Sequence, residues 1–427
     1  GGRCFVLGRP LGEGAYARVW RARPADDPEQ DCAVKELKCG QGPGILPDAS
    51  VPRALFEVHV MRRLLEADGE RGGAAFEPPR VPRILEYQLW PLGPSCPNGF
   101  LCRVAMTRRR GEALASWLEA AGADRARRAE RVASVDGYLA SFLGAVGACW
   151  SMLAQLCPTF GRLNAIAYHR DVNARNILVF SPRVEHGAAP TDAASLLEFS
   201  LIDFGSSADS ERWVADAGPG SWREENPTGD ARYWGPASWL RFLGGPGALD
   251  QRPPLRRLYT TRLDAFALAA CALEMLAKLH VARCPPEAFK SAPAGASVQV
   301  RFLLEAERVR ACWHAYWALA VGSFEHLAKY SQLVCRGDQR GASRCWDELT
   351  EGDIAAKLGG HLVELCECIS VLAGLCRELE AAGGAAALGF WARAAGTLQV
   401  LREMLSDSTL DWAALCARVG PAPPPPQ

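Results

Sequence analysis

The run His169-Arg170-Asp171-Val172-Asn173-Ala174-Arg175-Asn176 constrains this chain more than any other stretch. It sets a carboxylate that can accept a hydroxyl proton five residues ahead of an amide oxygen that can ligate a metal. Asp203-Phe204-Gly205 follows 27 residues after Asn176 and supplies a second oxygen ligand. Short apolar runs at 177–180 and 199–203 read as the two strands of a hairpin. Asn176 and Asp203 flank that hairpin, so both can converge on one Mg²⁺.

Two features lie upstream. Gly12-Glu13-Gly14-Ala15-Tyr16-Ala17-Arg18-Val19 sits between two strand-like runs. Such a turn can bring backbone N–H groups close to phosphate oxygens, because glycine has no side chain to obstruct them. The same G-x-G also occurs in ordinary hairpins. Sixteen residues past Val19 comes Lys35, in Ala33-Val34-Lys35. A lysine at the end of a buried strand is costly unless it meets an anion, and a phosphate or a carboxylate would serve. Glu57, on the following helix among apolar neighbours, is a candidate partner. Without that pairing the two are unrelated surface charges.

Composition narrows the class. Hydrophobic residues make up 49% of the 427 and charged residues 22%, which excludes a mainly disordered chain. Lys+Arg and Asp+Glu both number 48, so there is no electrostatic case for a general nucleic-acid or membrane-surface binder. Sixteen Cys are scattered without a C-x-x-C pair, which argues against a zinc module. Most are expected to be small buried hydrophobes in a reducing compartment. Cys366 and Cys368 are two apart in a helical pattern, so their side chains diverge. No apolar run reaches the ~20 residues that span a bilayer. The best, 361–376, is broken by Glu364 and Glu367, so no membrane span is expected and the location is read as intracellular and cytoplasmic. Residue 1 is Gly rather than Met, so the sequence reads as part of a longer chain.

Periodicity predicts strands at 5–7, 17–22, 31–37, 84–90 and 100–106, and a helix at 52–65. The stretch 66–80 reads as loop. Val135, Leu139, Phe142, Val146, Cys149, Leu153 and Leu156 recur at three and four residues and mark a long buried helix. A polar insert fills 181–195, and Gly/Pro-rich 241–254 reads as loop before an apolar helix at 264–279. Helices are expected at 301–334, 351–381, 385–405 and 408–418, and 421–427 is a proline-rich tail.

In order and spacing, G-x-G, A-x-K, Glu57, H-R-D-x-x-x-x-N and D-F-G resemble the eukaryotic protein kinase family, over residues 5–280. Any one motif arises by chance; the ordered set rarely does. The resemblance implies a two-lobed α+β fold. A small antiparallel-sheet lobe would occupy 1–110, a large helical lobe 111–340, and a helical extension 341–420. It implies that Gly12, Gly14 and Val19 cover ATP, with Ala17 replacing a third glycine. Ala33 would line the adenine pocket, Leu178 would lie below the ring, and Met106 would be the gatekeeper behind it. Thr107, Arg108 and Arg109 would form the hinge. Lys35 would hold the α- and β-phosphates, oriented by Glu57; Asp171 would be the catalytic base, and Asn176 and Asp203 the Mg²⁺ ligands. Asp264 resembles the buried helix aspartate that supports the catalytic loop, though it also reads as an N-terminal helix charge. Arg170 would dock a phosphate on the activation segment, with Ser207, Ser210, Ser221 and Thr228 as candidates; each alone reads equally as a loop hydroxyl.

The pattern also departs from the family. Asn173 stands where serine/threonine kinases carry Lys, while Ala174-Arg175-Asn176 echoes the tyrosine-kinase version. Gly235-Pro236-Ala237 replaces A-P-E, so the usual Glu–Arg bridge is absent or made by other residues. Asp230 replaces a threonine that touches the catalytic Asp, where it can repel acidic peptides or Asp171 itself. The chain after 298 matches no family motif. Arg108-Arg109-Arg110 and 125–131 read as solvated faces rather than an anion-binding patch, and Trp313, Tyr316, Trp317 and Phe324 as a packed helix stripe.

The resemblance therefore implies an ATP- and Mg²⁺-dependent transferase that moves the γ-phosphoryl group to protein hydroxyls, serine/threonine ahead of tyrosine on family grounds. All five polar residues that chemistry needs are present. The alternative is a pseudokinase-like scaffold that binds nucleotide or partners without useful turnover, suggested by 228–237 and the helical appendage. A small-molecule kinase is disfavoured by D-F-G and the long segment after it.

Overall fold

The computed structural model describes residues 3–14, 17–41, 50–66, 78–94, 96, 98–129, 134–181, 197–280, 297–382, 389–407 and 409–420. Strands β1 (Phe5–Glu13), β2 (Ala17–Pro24), β3 (Cys32–Gln41), β4 (Ile84–Pro91) and β5 (Asn98–Thr107) form one antiparallel sheet, in the order β1-β2-β3-β5-β4. Alternation along β3 decides what each residue meets. Ala33, Leu37 and Cys39 enter the main core, whereas Cys32 and Val34 join a small cluster with Ala22 and Ala105 on the other face. Lys35 shares the parity of Ala33 and Leu37 and so points toward the core side. Helix α1 (Val51–Glu66) packs there against β3, β4 and β5 and buries Ala54, Val58, Met61 and Leu64. Glu57 lies on that buried stripe at helical spacing.

The rest is mostly helix. β6 (Glu112–Ala113) leads to α2 (Leu114–Ala129) and α3 (Val135–Leu163). The Ser134 hydroxyl caps α3 by accepting the Gly137 N–H at 3.2 Å. Then come β7 (Ala167–Tyr168), β8 (Ile177–Phe180), β9 (Glu198–Leu201), β10 (Ala208–Asp209), α4 (Ser210–Val214) and a 3₁₀ turn, Ala231–Tyr233. β6, β8 and β9 form a three-stranded sheet, and β7 pairs with β10. Helices α5 (Pro236–Asp250), α6 (Pro253–Thr261), α7 (Leu263–Leu279), α8 (Val298–Cys335), α9 (Gln339–Glu351), α10 (Ile354–Ala382), α11 (Phe390–Ser406) and α12 (Trp412–Val419) complete the chain. α3 lies at the centre, packed by α7, α11 and α12, while α10 lies between α8 and α11. A five-stranded sheet beside a helical body is the two-lobed, kinase-like α+β fold.

Several expectations need correcting. The stretch 241–254 is helical, not loop. Its Gly and Pro act at boundaries: α5 is broken at Gly245, with φ of +69°, ahead of Pro246, and Pro253 and Pro254 open α6. Helix α9 was not anticipated, because its polar residues hide the apolar spacing of Ala342, Cys345 and Leu349. Two segments, α3 and Gln339–Ala382, are long and apolar enough to cross a membrane by length and composition. The first has 72% of its apolar window buried in the protein core, the second 44%. Of the fifteen described cysteines, all unbonded, ten are buried. Most of the insert 181–195, most of the loop 66–80 and the tail 421–427 lie outside the described residues.

Candidate active site

Lys35, from β3, reaches two carboxylates. Its Nζ donates to Glu57 Oε1 at 2.7 Å and Oε2 at 2.9 Å, and to Asp203 Oδ1 at 2.7 Å. Burial works against the charge on Lys35, but the anions Asp203 and Glu57 outweigh it and hold the ammonium more firmly than usual. Burial likewise raises Glu57, against the pull of Lys35. Asp203 goes the other way: the Lys35 charge pulls its carboxyl down to about 2. Asp203 also adopts a left-handed backbone, with φ of +64°, as does Arg170 at +66°. A non-glycine residue persists there only when its surroundings fix it.

Asp171 is held by three donors. Its Oδ1 accepts Asn173 Nδ2 at 2.7 Å and the Asp230 N–H at 2.9 Å, and its Oδ2 accepts Asn176 Nδ2 at 3.0 Å. Burial pushes its carboxyl up to about 6. Asn173 has a local task as well: its Oδ1 accepts the Arg175 N–H at 2.8 Å and the Asn176 N–H at 3.3 Å. The residue that departs from the family pattern therefore knits its own loop. Asn176 Oδ1 and Asp203 Oδ2 have no hydrogen-bond partner among the described residues. Two such oxygens suit a hard cation such as Mg²⁺.

Asp264 supports this loop from α7, as the resemblance implied. Its oxygens accept the N–H groups of His169 at 2.7 Å and Arg170 at 2.8 Å. Burial pushes Asp264 up to about 6 and lowers the His169 imidazole to about 4. His169 Nε2 lies 3.2 Å from the Ile202 carbonyl, and its ring centroid 5.0 Å from that of buried Phe204. Asp264→Asn keeps the shape but turns one acceptor into a donor facing a backbone N–H. The expected cost is about 1–3 kcal/mol in urea unfolding; an unchanged midpoint would remove Asp264 from this role.

Strand pairing sets several of the nucleotide candidates opposite one another. Across β2 and β3, Val19 is opposite Lys35, and across β3 and β5, Ala33 is opposite Met106. Gly12 pairs with Val19, and the Gly14 N–H donates to the Ala17 carbonyl at 2.9 Å. A Cβ at Gly12 would meet nothing within 4 Å, so the face above it is open. Ala15 and Tyr16 lie outside the described residues. Leu178 is half-buried on β8, opposite Ala113. At the end of β5, Thr107 accepts the Arg83 N–H; just after it, Arg108 pairs with Asp31 at 2.6 Å and Arg109 Nε donates to the Val81 carbonyl at 2.8 Å. Arg108 and Arg109 are thus tied into the protein, which corrects the solvated-face reading; Arg110 alone of the three is exposed.

The 228–237 stretch is anchored by means the sequence did not reveal. Gly229 has φ of +89°, and a Cβ there would fall 2.7 Å from both the Arg170 carbonyl oxygen and Asp171 Oδ1. Only glycine lets the Asp230 N–H approach Asp171 so closely. The Asp230 side chain turns away to Arg232, whose Nε lies at 2.9 Å and Nη2 at 2.5 Å. Its charge is therefore answered, and its effect on Asp171 ranks behind burial and Asp203. Tyr233 donates its hydroxyl to buried Glu274 at 2.6 Å and stacks edge-on with Trp317. Tyr316 donates to the Trp234 carbonyl at 3.3 Å. The aromatic stripe of α8 is packed, as expected, and braces this segment. Ala237 sits in an apolar cluster with Trp213, Trp222 and Tyr259. Buried Arg241 donates to the carbonyls of Trp222 at 3.3 Å, Arg223 at 2.7 Å and Glu225 at 3.2 Å. Arg241 thus holds the chain just before this stretch through backbone carbonyls.

No protein-family model matches the chain, and no curated protein matches it. Solved structures do. A chain from the CAK complex of Chaetomium thermophilum bound to ATP-gamma-S is 18% identical, with a TM-score of 0.38. The match covers 71% of this chain and 68% of that one, and the likeness is one of fold alone.

Proposed function

We propose that this chain is an ATP- and Mg²⁺-dependent protein kinase that phosphorylates serine or threonine hydroxyls. One observation carries the reading: Lys35 Nζ meets Asp203 Oδ1 at 2.7 Å across 168 residues of sequence while also holding Glu57. A buried cation shared by two carboxylates is costly to assemble for structure alone. In the proposed reaction, Lys35 steadies the ATP phosphates and Glu57 keeps Lys35 in place. Asn176 and Asp203 would hold Mg²⁺, which would supply charge neutralisation on the transferred group. Asp171 orients the acceptor hydroxyl and takes its proton as the oxygen bonds to phosphorus and ADP departs. Ala33, Met106, Val19 and Leu178 line the adenine side, under Gly12 and Gly14. Residues 1–110, 111–340 and 341–420 would be the small lobe, large lobe and appended helices.

The Asp230 N–H on Asp171 favours the enzyme over a non-catalytic scaffold, because it tethers the segment whose sequence raised that alternative. The test is γ-phosphate transfer from labelled ATP with Mg²⁺, to the protein itself and to mixed serine-, threonine- and tyrosine-containing polypeptides. Transfer to serine or threonine is expected. Tyrosine-only labelling would overturn the acceptor assignment, and no transfer at all would favour the scaffold.

A further inference from the structure

Arg170 lies next to Asp171 and is almost fully enclosed, with its side chain 3% exposed. A guanidinium in that position needs an anion. It donates through Nη1 to Glu225 Oε2 at 3.1 Å and through Nη2 to the Asn226 carbonyl at 2.8 Å, with its guanidinium carbon 4.7 Å from the Trp213 ring centroid. The Arg170 backbone is itself fixed, by Asp264 and by its left-handed φ. The other side of Glu225 is fixed too: its N–H donates to the Ser221 carbonyl at 2.9 Å, and its own carbonyl accepts from Arg241. Four residues after Asn226 comes the Asp230 N–H that touches Asp171. Segment 225–230 thus meets the catalytic loop twice, at Arg170 through Glu225 and Asn226 and at Asp171 through the Asp230 N–H.

We propose that Glu225 is the built-in anion that orders segment 206–230 against the catalytic loop, so that the acceptor side of the site assembles without phosphorylation of that segment. The inference rests on the kinase reading for its functional meaning, but not for its geometry. It revises the expectation that Arg170 awaits a phosphate on Ser207, Ser210, Ser221 or Thr228. Ser207 and Ser221 are buried, at 6% and 0% exposure, and out of reach of a modifying enzyme. A phosphate arriving at Arg170 from Ser210 or Thr228 would have to displace a carboxylate already in place. Arg53, on α1, adds a second positive charge near Arg170.

The test uses the whole chain, dephosphorylated and verified by intact mass. Hydrogen–deuterium exchange is followed in 206–230 for the wild type, Glu225→Ala and Glu225→Gln. The half-exposed Glu225 side chain can be replaced without opening the core. The unphosphorylated wild type is expected to be protected there. Glu225→Ala should exchange about tenfold faster or more in 222–230, as loss of a charged hydrogen bond implies. Glu225→Gln, which keeps an acceptor without the charge, should fall between. Exchange in α3 should stay the same in all three. Phosphoryl transfer by Glu225→Ala should drop in parallel. Equal protection in Glu225→Ala and wild type would overturn the proposal. So would a wild type that is unprotected until phosphorylated. If the wild type transfers no phosphate, the kinase reading falls, and the exchange comparison still decides what Glu225 does.

Discussion

Asp171→Asn is expected to lower phosphoryl transfer by about 10²–10⁴-fold, the usual contribution of a positioned proton acceptor. Nucleotide binding should survive. The amide can still present its oxygen to Asn173 Nδ2 and the Asp230 N–H, the two donors now on Oδ1. Asn176 Nδ2 loses Oδ2 as an acceptor but keeps the Asp171 carbonyl at 2.9 Å, so its own Oδ1 is not turned away from a cation. The loop therefore keeps its shape and loses only the group that takes the proton. Initial rates with labelled ATP measure the first effect, and the ATP-dependent rise in melting temperature measures the second. Full activity in the variant would show that Asp171 is not the base. Loss of the nucleotide-dependent rise would show instead that the substitution had disturbed the site.

The residues proposed for this chemistry were legible because their signals are local. Asp171 and Asn176 sit in one eight-residue run, and Asp203 in a three-residue motif. Lys35 and Glu57 could be paired because strand parity and the helix stripe each point one side chain inward. Asp264 was legible through the resemblance alone, since an acid that opens an apolar helix also reads as an N-terminal helix charge. What stayed hidden depends on distant contacts. Glu225 is one acid in a polar stretch, and nothing around it signals that Arg170 lies 55 residues upstream in its grip. Gly229 reads as an ordinary turn glycine until Asp171 is placed 2.7 Å from its missing Cβ. Arg241 lay in a stretch read as loop, because Gly and Pro mark chain breaks without saying whether a helix lies between them. The anchoring of this stretch by Arg241 and by Tyr233 on Glu274 is likewise a set of tertiary contacts, not a motif.

Lys35→Met should have the largest effect on stability as well as ending transfer. Lys35 and Glu57 are both buried, at 11% and 6% side-chain exposure. Removing one partner of such a pair leaves the other as an uncompensated charge, at a typical cost of about 3–5 kcal/mol. Asp203 is 47% exposed on its side chain, so water can take over much of its share. The orphan that matters is therefore Glu57. Burial already raises the Glu57 carboxyl, and Lys35 is what offsets this. Without Lys35 the group is tolerated most easily when protonated. An acid whose folded pKa is raised destabilises increasingly as pH climbs through it, so the deficit of Lys35→Met against wild type should shrink in acid and widen toward neutral pH. Adding Glu57→Gln removes the buried charge, and the double variant should regain most of the lost stability while transfer stays abolished. Urea unfolding at two pH values, beside the labelled-ATP assay, separates the two roles. A double variant as unstable as Lys35→Met would place the cost in lost packing rather than in the orphaned carboxylate. A double variant that is stable yet inactive would assign Lys35 to the phosphates, as the geometry around Asp203 suggests.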